Sequence, residues 1–588
     1  MHSVEPGPDA SRRHALRRLR EEADTCWDLI VVGGGATGLG VALDGASRGF
    51  RVLLLEGSDF AAGTSSRSTK LLHGGVRYLA QGRIALVREA LRERQLLLRN
   101  AAPAARALPL VIPAPGLGQR LWYGMGLRVY DALAGGRGIG ASRWLDAAGM
   151  ARMASGLIPE LSNGGVLFQD GQFDDTELAI ALAMAAGRHG ALILNYVRVT
   201  GLVRSAAGSV TGVEAREVET GEAFRVSGRC VVNACGAWAD VLRGQDQPEV
   251  RPLVAPSQGT HVVVPRRHYP GEAGILVPRT EDGRVLFILP WHGHLLLGTT
   301  DVALQRLPDA PGEGGLREAH PVRPTTAEVD FILQTAGRHL VSPPRRADIL
   351  AAWSGVRPLL QAPEGQDGRT AGLSREHLVE VAASGLVTVT GGKWTTFRRM
   401  AADVLEKAAQ AGLLERRPGV TASLRLASEP LVPTSAPGVH GLDGSPEPDA
   451  ATVRRLVREA FALTPEDVLA RRYRWLFVDA RAGQAMGRRV AEVMAEERGL
   501  DGSWVRDQCD HLASAAAALL PPFSAEKRRL RSAVRDGRSG VRRSPPHGSP
   551  ASARHTGPVP AAEGIAGRRS PGRETGNPGP LRAACWCR

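Results

Sequence analysis

A strand, a glycine-rich turn, a helix and a second strand follow one another near the N-terminus, and this unit strongly constrains the fold. Residues 28–32 form a short apolar, β-branched run of the kind that makes a buried strand. Gly33, Gly35 and Gly38 then match the Gly-x-Gly-x-x-Gly pattern at the start of a predicted helix. A second apolar run ends in Glu56, about twenty residues after the glycines. This order predicts an α/β fold of the Rossmann type with a dinucleotide site.

Each position of the turn has a mechanical role in holding a dinucleotide. Gly33 permits the tight turn, Gly35 lets the backbone approach a pyrophosphate, and Gly38 lets the helix pack closely on the strand. Gly34 lies within the same turn, where the N–H groups of the helix start can bind phosphate oxygens. Glu56 is expected to accept a hydrogen bond from a ribose hydroxyl. The chain contains 70 glycines, so the pattern is informative only because strand, helix and acid accompany it.

Two later segments repeat the theme of a strand that runs into a glycine turn. The first is CVVNACGAW, which contains Gly236 and Trp238, and the second is LVTVTGGKWTTF, which contains Gly391 and Gly392. Three separate segments therefore bring glycine turns from strand ends toward one place. This is how α/β sheets enclose a large cofactor.

A second sheet is predicted between these turns. The segments THVVVPRR (260–267) and VLFILPWHGHLLLGTTD (285–301) are typical of antiparallel strands joined by a turn. We expect this sheet to be inserted into the nucleotide-binding domain. From about residue 401 onward the apolar spacing becomes helical.

The net charge of +14 is concentrated at the C-terminal end of the 588-residue chain. Residues 527–588 contain fourteen Lys or Arg and three acids, a net charge of 14 − 3 = +11, which leaves +3 for the rest. The folded part is therefore close to balanced, and no nucleic-acid partner is expected for it. The tail is rich in Gly, Pro, Ser, Ala and Arg and is predicted to be disordered. A basic arm and an extension with no partner both remain open for it.

The sequence predicts a protein that is neither exported nor membrane-spanning. No apolar run reaches the roughly eighteen residues that a membrane span needs. The N-terminus carries charges where a signal peptide has its apolar core. The cysteines are scattered without a C-x-x-C motif, which suits a reducing cytoplasm and predicts neither a disulfide framework nor a metal site. The six cysteines are Cys26, Cys230, Cys235, Cys509, Cys585 and Cys587.

The chain resembles the FAD-dependent, quinone-linked glycerol-3-phosphate dehydrogenase family. The matching stretches occur in family order over about residues 27–400, and residues 464–483 resemble the family's C-terminal helical domain. Two departures are Gln258, where many members carry Lys, and the tail beyond about residue 535. The stretches are VVGGGATGLGVALDGASRG, TSSRSTKLLHGGVRYL, VVNACGAWAD, GTHVVVPR, LLGTTD, SGVRPL and TGGKWTTFR.

The resemblance implies an α/β fold with three parts. These are an FAD-binding, Rossmann-like domain of the glutathione-reductase type, an inserted antiparallel-sheet substrate domain, and a C-terminal α-helical domain. The expected boundaries are 1–23 for an N-terminal extension, 24–400 for the oxidoreductase region, 401–535 for the helical domain and 536–588 for the tail. Within the oxidoreductase region, FAD-binding parts are expected at about 24–90, 170–250 and 350–400, and substrate-binding parts at about 91–169 and 251–349.

The resemblance also gives a role to the donor-rich segment 64–79, TSSRSTKLLHGGVRYL. In the family this segment passes between the flavin and the substrate. Its hydroxyls are expected to bind cofactor phosphate or flavin, and its glycines to let the backbone lie against the isoalloxazine. FAD is expected to bind non-covalently, with His73 the one candidate for a covalent link. The cofactor-side residues implied here are Thr64, Ser65, Ser66, His73, Gly74 and Gly75.

Oxidation of sn-glycerol 3-phosphate to dihydroxyacetone phosphate requires a hydride acceptor and a base for the C2 hydroxyl. His261 is the leading candidate base, and Arg357 is the alternative residue for handling the proton or binding the hydroxyl. Lys393 suits stabilisation of the negative charge on the reduced flavin or on the substrate oxygen. The residues expected on the substrate side are Arg77, Tyr78, Thr299, Thr300 and Arg375.

A quinone acceptor predicts docking on the inner face of the cell membrane. Residues 118–134 mix apolar side chains and aromatics with arginines, which is typical of an interfacial segment. A homodimer is one arrangement that the resemblance allows. Two alternatives stay open from the sequence. They are a related FAD oxidase that uses oxygen on a glycerol phosphate, an amine or a 2-hydroxy acid, and a flavoprotein without turnover.

Overall fold

The structure is a computed structural model that describes residues 12–521, except 23, 81, 136–137, 308–321, 362–375, 427–429 and 433–447. Residues 1–11 of the expected N-terminal extension (1–23) are not described, whereas Arg12–Glu21 of the same extension form a helix, and the basic tail lies wholly beyond residue 521. Eighteen strands occur in the described part: β1 Cys26–Val32, β2 Val52–Leu55, β3 Leu71–Leu72, β4 Ala105–Pro113, β5 Arg143–Asp146, β6 Gly164–Phe173, β7 Leu192–Leu194, β8 Val197–Arg204, β9 Val210–Glu217, β10 Ala223–Asn233, β11 Val254–Pro265, β12 Gly274–Val277, β13 Leu286–Trp291, β14 His294–Gly298, β15 Val302–Ala303, β16 Ala351–Leu360, β17 His377–Val381 and β18 Val387–Gly391.

The same part of the chain forms fourteen α-helices. They are α1 Arg12–Glu21, α2 Ala36–Ser47, α3 Val76–Ala80, α4 Ile84–Asn100, α5 Leu117–Ala134, α6 Ala147–Met153, α7 Asp175–Arg188, α8 Ala239–Asp246, α9 Thr326–Gly337, α10 Phe397–Gln410, α11 Ala450–Glu459, α12 Trp475–Val478, α13 Ala480–Arg498 and α14 Gly502–Ala518.

The first sheet is the predicted nucleotide-binding sheet. Its strand order is β17-β18-β10-β1-β2-β7, and the strands from β18 to β7 are parallel. The four residues of β2 are all buried, as expected for a parallel strand covered on both faces. Helix α2 packs against both α7 and α10. Strands β8 and β9 form an antiparallel hairpin, and β9 also pairs with the first part of β10.

The second sheet is largely antiparallel and carries the predicted substrate side. Its order is β15-β11-β14-β13-β12-β4-β6-β3, with β16 also paired to β11 and β5 to β6. The long pairing of β11 with β16 places His261 opposite Trp353. Its strands come from two stretches, between residues 71 and 173 and between residues 254 and 360. The chain therefore leaves the nucleotide-binding sheet twice to build the second sheet.

Helices α11 to α14 follow the two sheets and are tied to them by backbone bonds. Ala480 N–H donates to Leu350 O at 3.1 Å, and Ala352 N–H donates to Leu519 O at 2.7 Å. A buried carboxylate in the first domain, Asp59, also binds Arg471 and Arg472 just before α12. The C-terminal helices are thus anchored beside both sheets.

None of the described helices has the length and apolar character that a bilayer crossing requires. Within residues 12–521 and outside the gaps, no group of three His, Cys, Asp or Glu side chains is placed to hold a metal ion. The cysteines of this part, Cys26, Cys230, Cys235 and Cys509, are all free thiols. Cys585 and Cys587 lie outside the described residues.

Candidate active site

The segments singled out from the sequence line one cavity of about 360 Å³ between the two sheets. The start of α2, the 64–78 segment, the facing strands β11 and β16, and the turn after β18 all contribute to its wall. The predicted residues that line the cavity are Gly35, Thr64, Ser65, His73, Gly75, Tyr78, Gly236, His261, Thr299, Arg357, Gly391, Gly392 and Lys393. A cavity of this size with convergent polar groups is suited to bind a small molecule.

The N-terminus of α2 opens into this cavity. Gly35 is the N-cap and gives no side-chain cap, so the first N–H groups of the helix depend on other partners. One of them, Ala36 N–H, donates to the Ser65 hydroxyl at 2.9 Å. Thr37, in the first turn, also faces the cavity and was not singled out in the sequence. This helix end is suited to bind the phosphate oxygens of a dinucleotide.

The glycine turn before α2 is tightly packed. Gly33 has a φ of +106°, and a Cβ at this position would lie 2.7 Å from the carbonyl oxygen of Ala234. A Cβ on Gly38 would overlap the carbonyl oxygen of Gly33. Neither residue lines the cavity, so their role is to let the turn, the helix and β10 approach one another. The cofactor-binding role of both glycines stays a prediction.

Glu56 is bound to the same turn. Its Oε2 accepts from Gly34 N–H at 2.6 Å and its Oε1 accepts from Ser58 N–H at 2.8 Å. Burial raises the pKa of Glu56, and these two hydrogen bonds oppose the rise. The carboxylate therefore fixes the glycine turn from the end of β2.

His261 lies in the middle of β11 and is almost fully buried. Its Nε2 lies 3.0 Å from the Thr69 hydroxyl, and its ring stacks on Trp353 with ring centres 5.8 Å apart. Burial lowers the pKa of His261 well below its usual value, and the charges of Arg357 and Lys70 lower it further. The imidazole is therefore neutral at physiological pH, as a general base must be.

Arg357, on β16, reaches across β11 toward the turn after β14. Its Nη2 donates to the Thr299 hydroxyl at 2.9 Å and to the carbonyl of Thr300 at 2.9 Å. Its Nη1 lies 3.4 Å from the carboxylate of Asp301. Gly259 leaves room for the guanidinium, since a Cβ there would overlap it. Arg357 is thus a fixed cation at the cavity wall, next to Thr299.

Thr300 does not face the cavity, unlike its neighbour Thr299. It is buried, and its hydroxyl donates to Glu328 at 2.7 Å. The same carboxylate accepts from the Thr260 hydroxyl and from Gln258 Nε2, both at 2.7 Å. Thr300 was expected to contact the substrate, but its hydroxyl instead binds the buried Glu328 carboxylate behind the cavity wall. Gln258, where many family members carry Lys, serves here as a neutral donor to this buried carboxylate.

Several groups of the segment 64–79 that were expected to face the cofactor contact other parts of the protein. Thr64 Oγ1 donates to the carbonyl of Val356 at 2.5 Å, and Ser66 is buried with its hydroxyl directed to Gly63 O at 3.3 Å. Gly74 N–H donates to Tyr130 Oη at 2.8 Å, and a Cβ on Gly74 would collide with that hydroxyl. Glycine at 74 therefore makes room for a protein side chain, because Tyr130 fills the space beside it. Ser66 and Gly74 do not line the cavity.

Two of the predicted substrate residues lie outside what the structure describes. Arg375 falls in the gap 362–375, and the side chain of Arg77 in α3 is not described. Their role in phosphate binding remains a prediction. Trp238 is half-buried beside Gly63 and does not line the cavity.

The structure also brings residues to the cavity that sequence reasoning missed. They include Thr69, which contacts His261, and Asp170, which accepts from Tyr130 at 3.0 Å. Trp394 Nε1 donates to Ser65 O at 2.9 Å and so links the last glycine turn to the 64–79 segment. Thr69 stood inside a segment already singled out. Asp170 lies in the buried strand β6, which carries no sequence motif.

Comparison with known proteins identifies the family. The profile of the FAD dependent oxidoreductase family (DAO) matches residues 28–398. The profile of the C-terminal domain of alpha-glycerophosphate oxidase matches residues 387–504. The oxidoreductase match spans more than half of the chain, and the second match lies on the helices that follow the sheets.

Proteins that are similar in sequence indicate the same family as the profiles. Mitochondrial glycerol-3-phosphate dehydrogenase of Saccharomyces cerevisiae is 38% identical over 443 residues, which cover 69% of this chain and 66% of that protein. The probable mitochondrial glycerol-3-phosphate dehydrogenase of Caenorhabditis elegans is 35% identical over 557 residues, which cover 86% of this chain and 75% of that protein. The matched part thus spans just under two thirds of the yeast protein's length.

The structure of glycerol-3-phosphate dehydrogenase from Bacillus halodurans, solved in complex with FAD, superposes with a TM-score of 0.66. Its sequence is 23% identical, and the match covers 87% of this chain and 99% of that chain. The two proteins share a fold, and the predicted fold class is confirmed. Together the profiles, the relatives and the fold show that this chain belongs to the FAD-dependent glycerol-3-phosphate dehydrogenase family.

Proposed function

We propose that this chain binds FAD in the cavity between its two sheets and oxidises sn-glycerol 3-phosphate to dihydroxyacetone phosphate. The observation that carries the proposal is a neutral, buried His261 beside the fixed cation Arg357, in a cavity that also receives the open N-terminus of α2. A base, a cation and an anion-binding helix end at one place are what this oxidation needs.

The residues present fit FAD. The uncapped start of α2 and the Ser65 hydroxyl would hold the pyrophosphate, and Glu56 at the end of β2 would face the ribose. Gly391 and Gly392, with φ of +80° and +74°, form a turn at the cavity wall whose backbone an L side chain would strain. Bound FAD would supply the acceptor for the hydride that leaves C2 of the substrate.

The side chains of this chain would handle the proton and the charges. His261 would accept the proton of the C2 hydroxyl, which its neutral state permits. Arg357 would hold the substrate oxygen as its negative charge develops, in concert with the Thr299 hydroxyl. Lys393 would place a positive charge near the site where electrons accumulate. The phosphate would be bound by Arg77 and Arg375 through charge-assisted hydrogen bonds.

The test is anaerobic mixing of the FAD-loaded full chain with sn-glycerol 3-phosphate. We expect the yellow flavin absorbance to bleach and one dihydroxyacetone phosphate to form for each flavin reduced. sn-Glycerol 1-phosphate, the mirror-image isomer, is the matched control and should leave the colour unchanged. A protein that stays yellow with sn-glycerol 3-phosphate would refute the proposed activity. The result would favour the alternative of a flavoprotein that has no catalytic turnover.

The electrons are proposed to pass to a membrane quinone. The proposal is supported by an exposed apolar surface on α5. The apolar side chains on one side of this helix are between 41% and 67% exposed. Four of them recur every fourth residue and so share one helical face. The residues of this α5 patch are Leu117, Leu121, Trp122, Met125 and Val129, with Trp144 of β5 beside them. Two residues expected in the interfacial segment, Leu127 and Tyr130, are instead buried on the opposite face.

Arginines border the α5 patch. Arg128 lies 5.9 Å from the centre of the exposed Trp144 ring. A cavity of about 370 Å³ beside the patch is lined by Arg120, Arg143 and Arg152 together with Leu117 and Leu121. Apolar side chains and aromatics with cations around them suit the interface of an anionic membrane. We propose that the α5 patch docks the protein peripherally on a membrane. The side of the membrane would be its inner face, where the water-soluble substrate is present.

The arginines of residues 83–99, which precede this surface in the sequence, do not all contribute to it. Arg94 is buried and its Nη1 pairs with Asp170. Arg83 lies 3.7 Å from Glu376. These two arginines are therefore left out of the proposed membrane contact, which is built from α5, β5 and α6.

Sedimentation with anionic vesicles tests the docking. A chain that ends after about residue 530, which lacks the basic tail, should sediment with the vesicles. Replacing Leu121 and Trp122 by Ser should release it, whereas the matched control, Val241→Ser with Leu500→Ser, removes exposed apolar side chains elsewhere and should not. Binding that survives the first pair of substitutions would rule out the α5 patch. Reoxidation of the bleached protein by a quinone analogue, compared with oxygen, separates the dehydrogenase from the oxidase.

A further inference from the structure

Two buried cations meet at one backbone carbonyl below the active site. Lys70 Nζ donates to the carbonyl of Ser66 at 2.7 Å, and Arg474 Nη2 donates to the same oxygen at 3.1 Å. Lys70 is completely buried and Arg474 is 1% exposed. A carbonyl oxygen can accept two hydrogen bonds, so it can bind both groups. Two neighbouring buried cations are unfavourable unless close anions compensate them.

The compensating anions come from the start of α7. Asp175 lies 2.5 Å from Lys70 Nζ and 3.4 Å from Arg474 Nη2. Its Oδ2 also accepts from the backbone N–H of Ser68 at 3.2 Å and from the Ser68 hydroxyl at 2.7 Å. Asp174, the N-cap of α7, lies 3.7 Å from Arg474 Nε. Residues 66 to 70 are therefore held through the Ser66 carbonyl, through Ser68 and through Lys70 itself.

Both cations adopt a backbone conformation that side-chain-bearing residues rarely take. The φ angle is +62° at Lys70 and +67° at Arg474. Neither is Asn or Asp, the types that tolerate this region best. Such conformations persist where the surroundings enforce them, and they cluster at functional sites.

The segment held in this way carries the partner of the candidate base. Thr69 lies directly before Lys70, and its hydroxyl lies 3.0 Å from His261 Nε2. We propose that Lys70 and Arg474 are positioning residues that fix residues 66–70 and so keep the Thr69 hydroxyl on His261. The inference rests on the role proposed above for His261. It makes the C-terminal region, which supplies Arg474, a structural part of the active site.

The charges around the two groups make the proposal measurable. The charged groups that act on His261 are Arg357 and Lys70, while those that act on Lys70 are Arg474, Asp175 and Asp174. Burial and the charge of Arg474 lower the pKa of Lys70, the two aspartates oppose them, and the net result is a pKa of about 7. Because the Lys70 charge lowers the pKa of His261, its removal should raise that pKa.

The first experiment is an NMR titration of the imidazoles in the FAD-loaded full chain, with the His261 signal assigned through His261→Asn. Lys70→Met should raise the pKa of His261 by about 0.5 to 1 unit. The matched control, Arg398→Met, leaves the buried Glu93 carboxylate without its closest cation and should not move the signal. An unchanged His261 titration in Lys70→Met would overturn the proposal. This readout needs no substrate, so it stays valid if glycerol 3-phosphate fails to bleach the flavin.

The second experiment uses Arg474→Met, in which the Lys70 charge remains. Loss of positioning should slow flavin reduction by about ten- to a hundredfold, with little change in KM. Thr69→Val should slow it similarly, and the double variant should lose no more than either single variant, because both act through one contact. Additive losses would show that Arg474 acts elsewhere. This experiment decides the matter if Lys70→Met does not fold.

Discussion

The ammonium group of Lys393 lies 3.9 Å from the centre of the Tyr78 ring. This contact joins the glycine turn after β18 to the 64–79 segment at the cavity wall, where both residues lie. A cation over an aromatic face is held by electrostatic attraction to the ring quadrupole. Lys393 is thus presented to the cavity as a positive charge.

Lys393→Met should therefore weaken electron acceptance more than cofactor binding. We expect the reduction potential of the bound flavin to fall and the rate of its reduction by sn-glycerol 3-phosphate to drop by about ten- to a hundredfold. Tyr78→Phe keeps the aromatic face and is the control, with an unchanged flavin reduction potential expected. Rapid-mixing absorbance and potentiometry measure the two quantities. An unchanged potential in Lys393→Met would place the charge away from the flavin.

His261→Asn should lower kcat by about 10²–10⁴-fold while flavin content stays constant. The pH profile gives an independent check. Since the pKa of His261 lies well below its usual value of about 6.5, activity should persist below that pH. An acid limb at or above pH 6.5 in the unaltered protein would contradict a buried neutral imidazole.

Burial of the His261 imidazole also has a cost in stability. The unfolded chain binds a proton at this site below about pH 6.5 and the folded chain does not, so the free energy of unfolding should decrease as pH falls through that range, and less so in His261→Asn.

Thr299 and Thr300 provide a matched pair of adjacent substitutions. Thr299→Val removes a hydroxyl that accepts from Arg357 at the cavity wall, so KM for glycerol 3-phosphate should rise with little effect on Tm. Thr300→Val removes a buried donor to Glu328 and should cost about 1–3 kcal/mol of unfolding free energy. Steady-state kinetics and thermal unfolding, measured on both variants, distinguish the two roles. The reverse pattern would mean that Thr300 is the substrate contact.

The buried pair of Arg472 with Asp59 should dominate the anchoring of the C-terminal helices. Arg472→Met is expected to cost about 3–5 kcal/mol in urea unfolding, because Asp59 stays buried with fewer cations. The exposed pair of Arg454 with Glu496 is the control, and Arg454→Met should cost at most about 1 kcal/mol. Burial favours the neutral acid at Asp59, but Arg472 and Arg471 outweigh it and hold the pKa below its usual value. The stabilisation is therefore lost as pH falls below about 4. Equal costs for the two variants would contradict this assignment.

Gly38→Ala should abolish FAD retention, because its Cβ would overlap the carbonyl oxygen of Gly33 and push α2 away from the turn. Gly187, near the end of α7, is the matched control. A Cβ there meets no atom within 4 Å, so Gly187→Ala should keep FAD and add up to about 1 kcal/mol of stability. Flavin content after gel filtration measures the first effect. A yellow Gly38→Ala protein would show that the turn can relax.

Local patterns were sufficient to predict the nucleotide-binding half. Residues 28–56 carry strand, turn, helix and acid in one continuous stretch, and β1, α2 and β2 appear where the sequence predicts them. The predicted strands around 260–267 and 285–301 are likewise present as β11, β13 and β14. In these cases the signal lies within a few neighbouring residues, so one sequence is enough.

Contacts between distant segments could not be predicted from such patterns. Nothing local separates Thr299 from Thr300, because their different partners come from β16 and α9. Tyr130 looks like an interfacial aromatic beside Trp122, yet one faces Asp170 in the core and the other faces solvent. Which side of a helix is buried depends on the elements packed against it, and these are distant in sequence.

The bond from Arg474 to the Ser66 carbonyl also bears on how the protein is made. The two residues are separated by 408 positions. At a synthesis rate of roughly 5–20 residues per second, the earlier segment waits about 20 to 80 seconds for its partner to be translated. The segment that carries Thr69 is fixed only after Arg474 has left the ribosome, so we expect capture of the flavin to be a late step in biosynthesis.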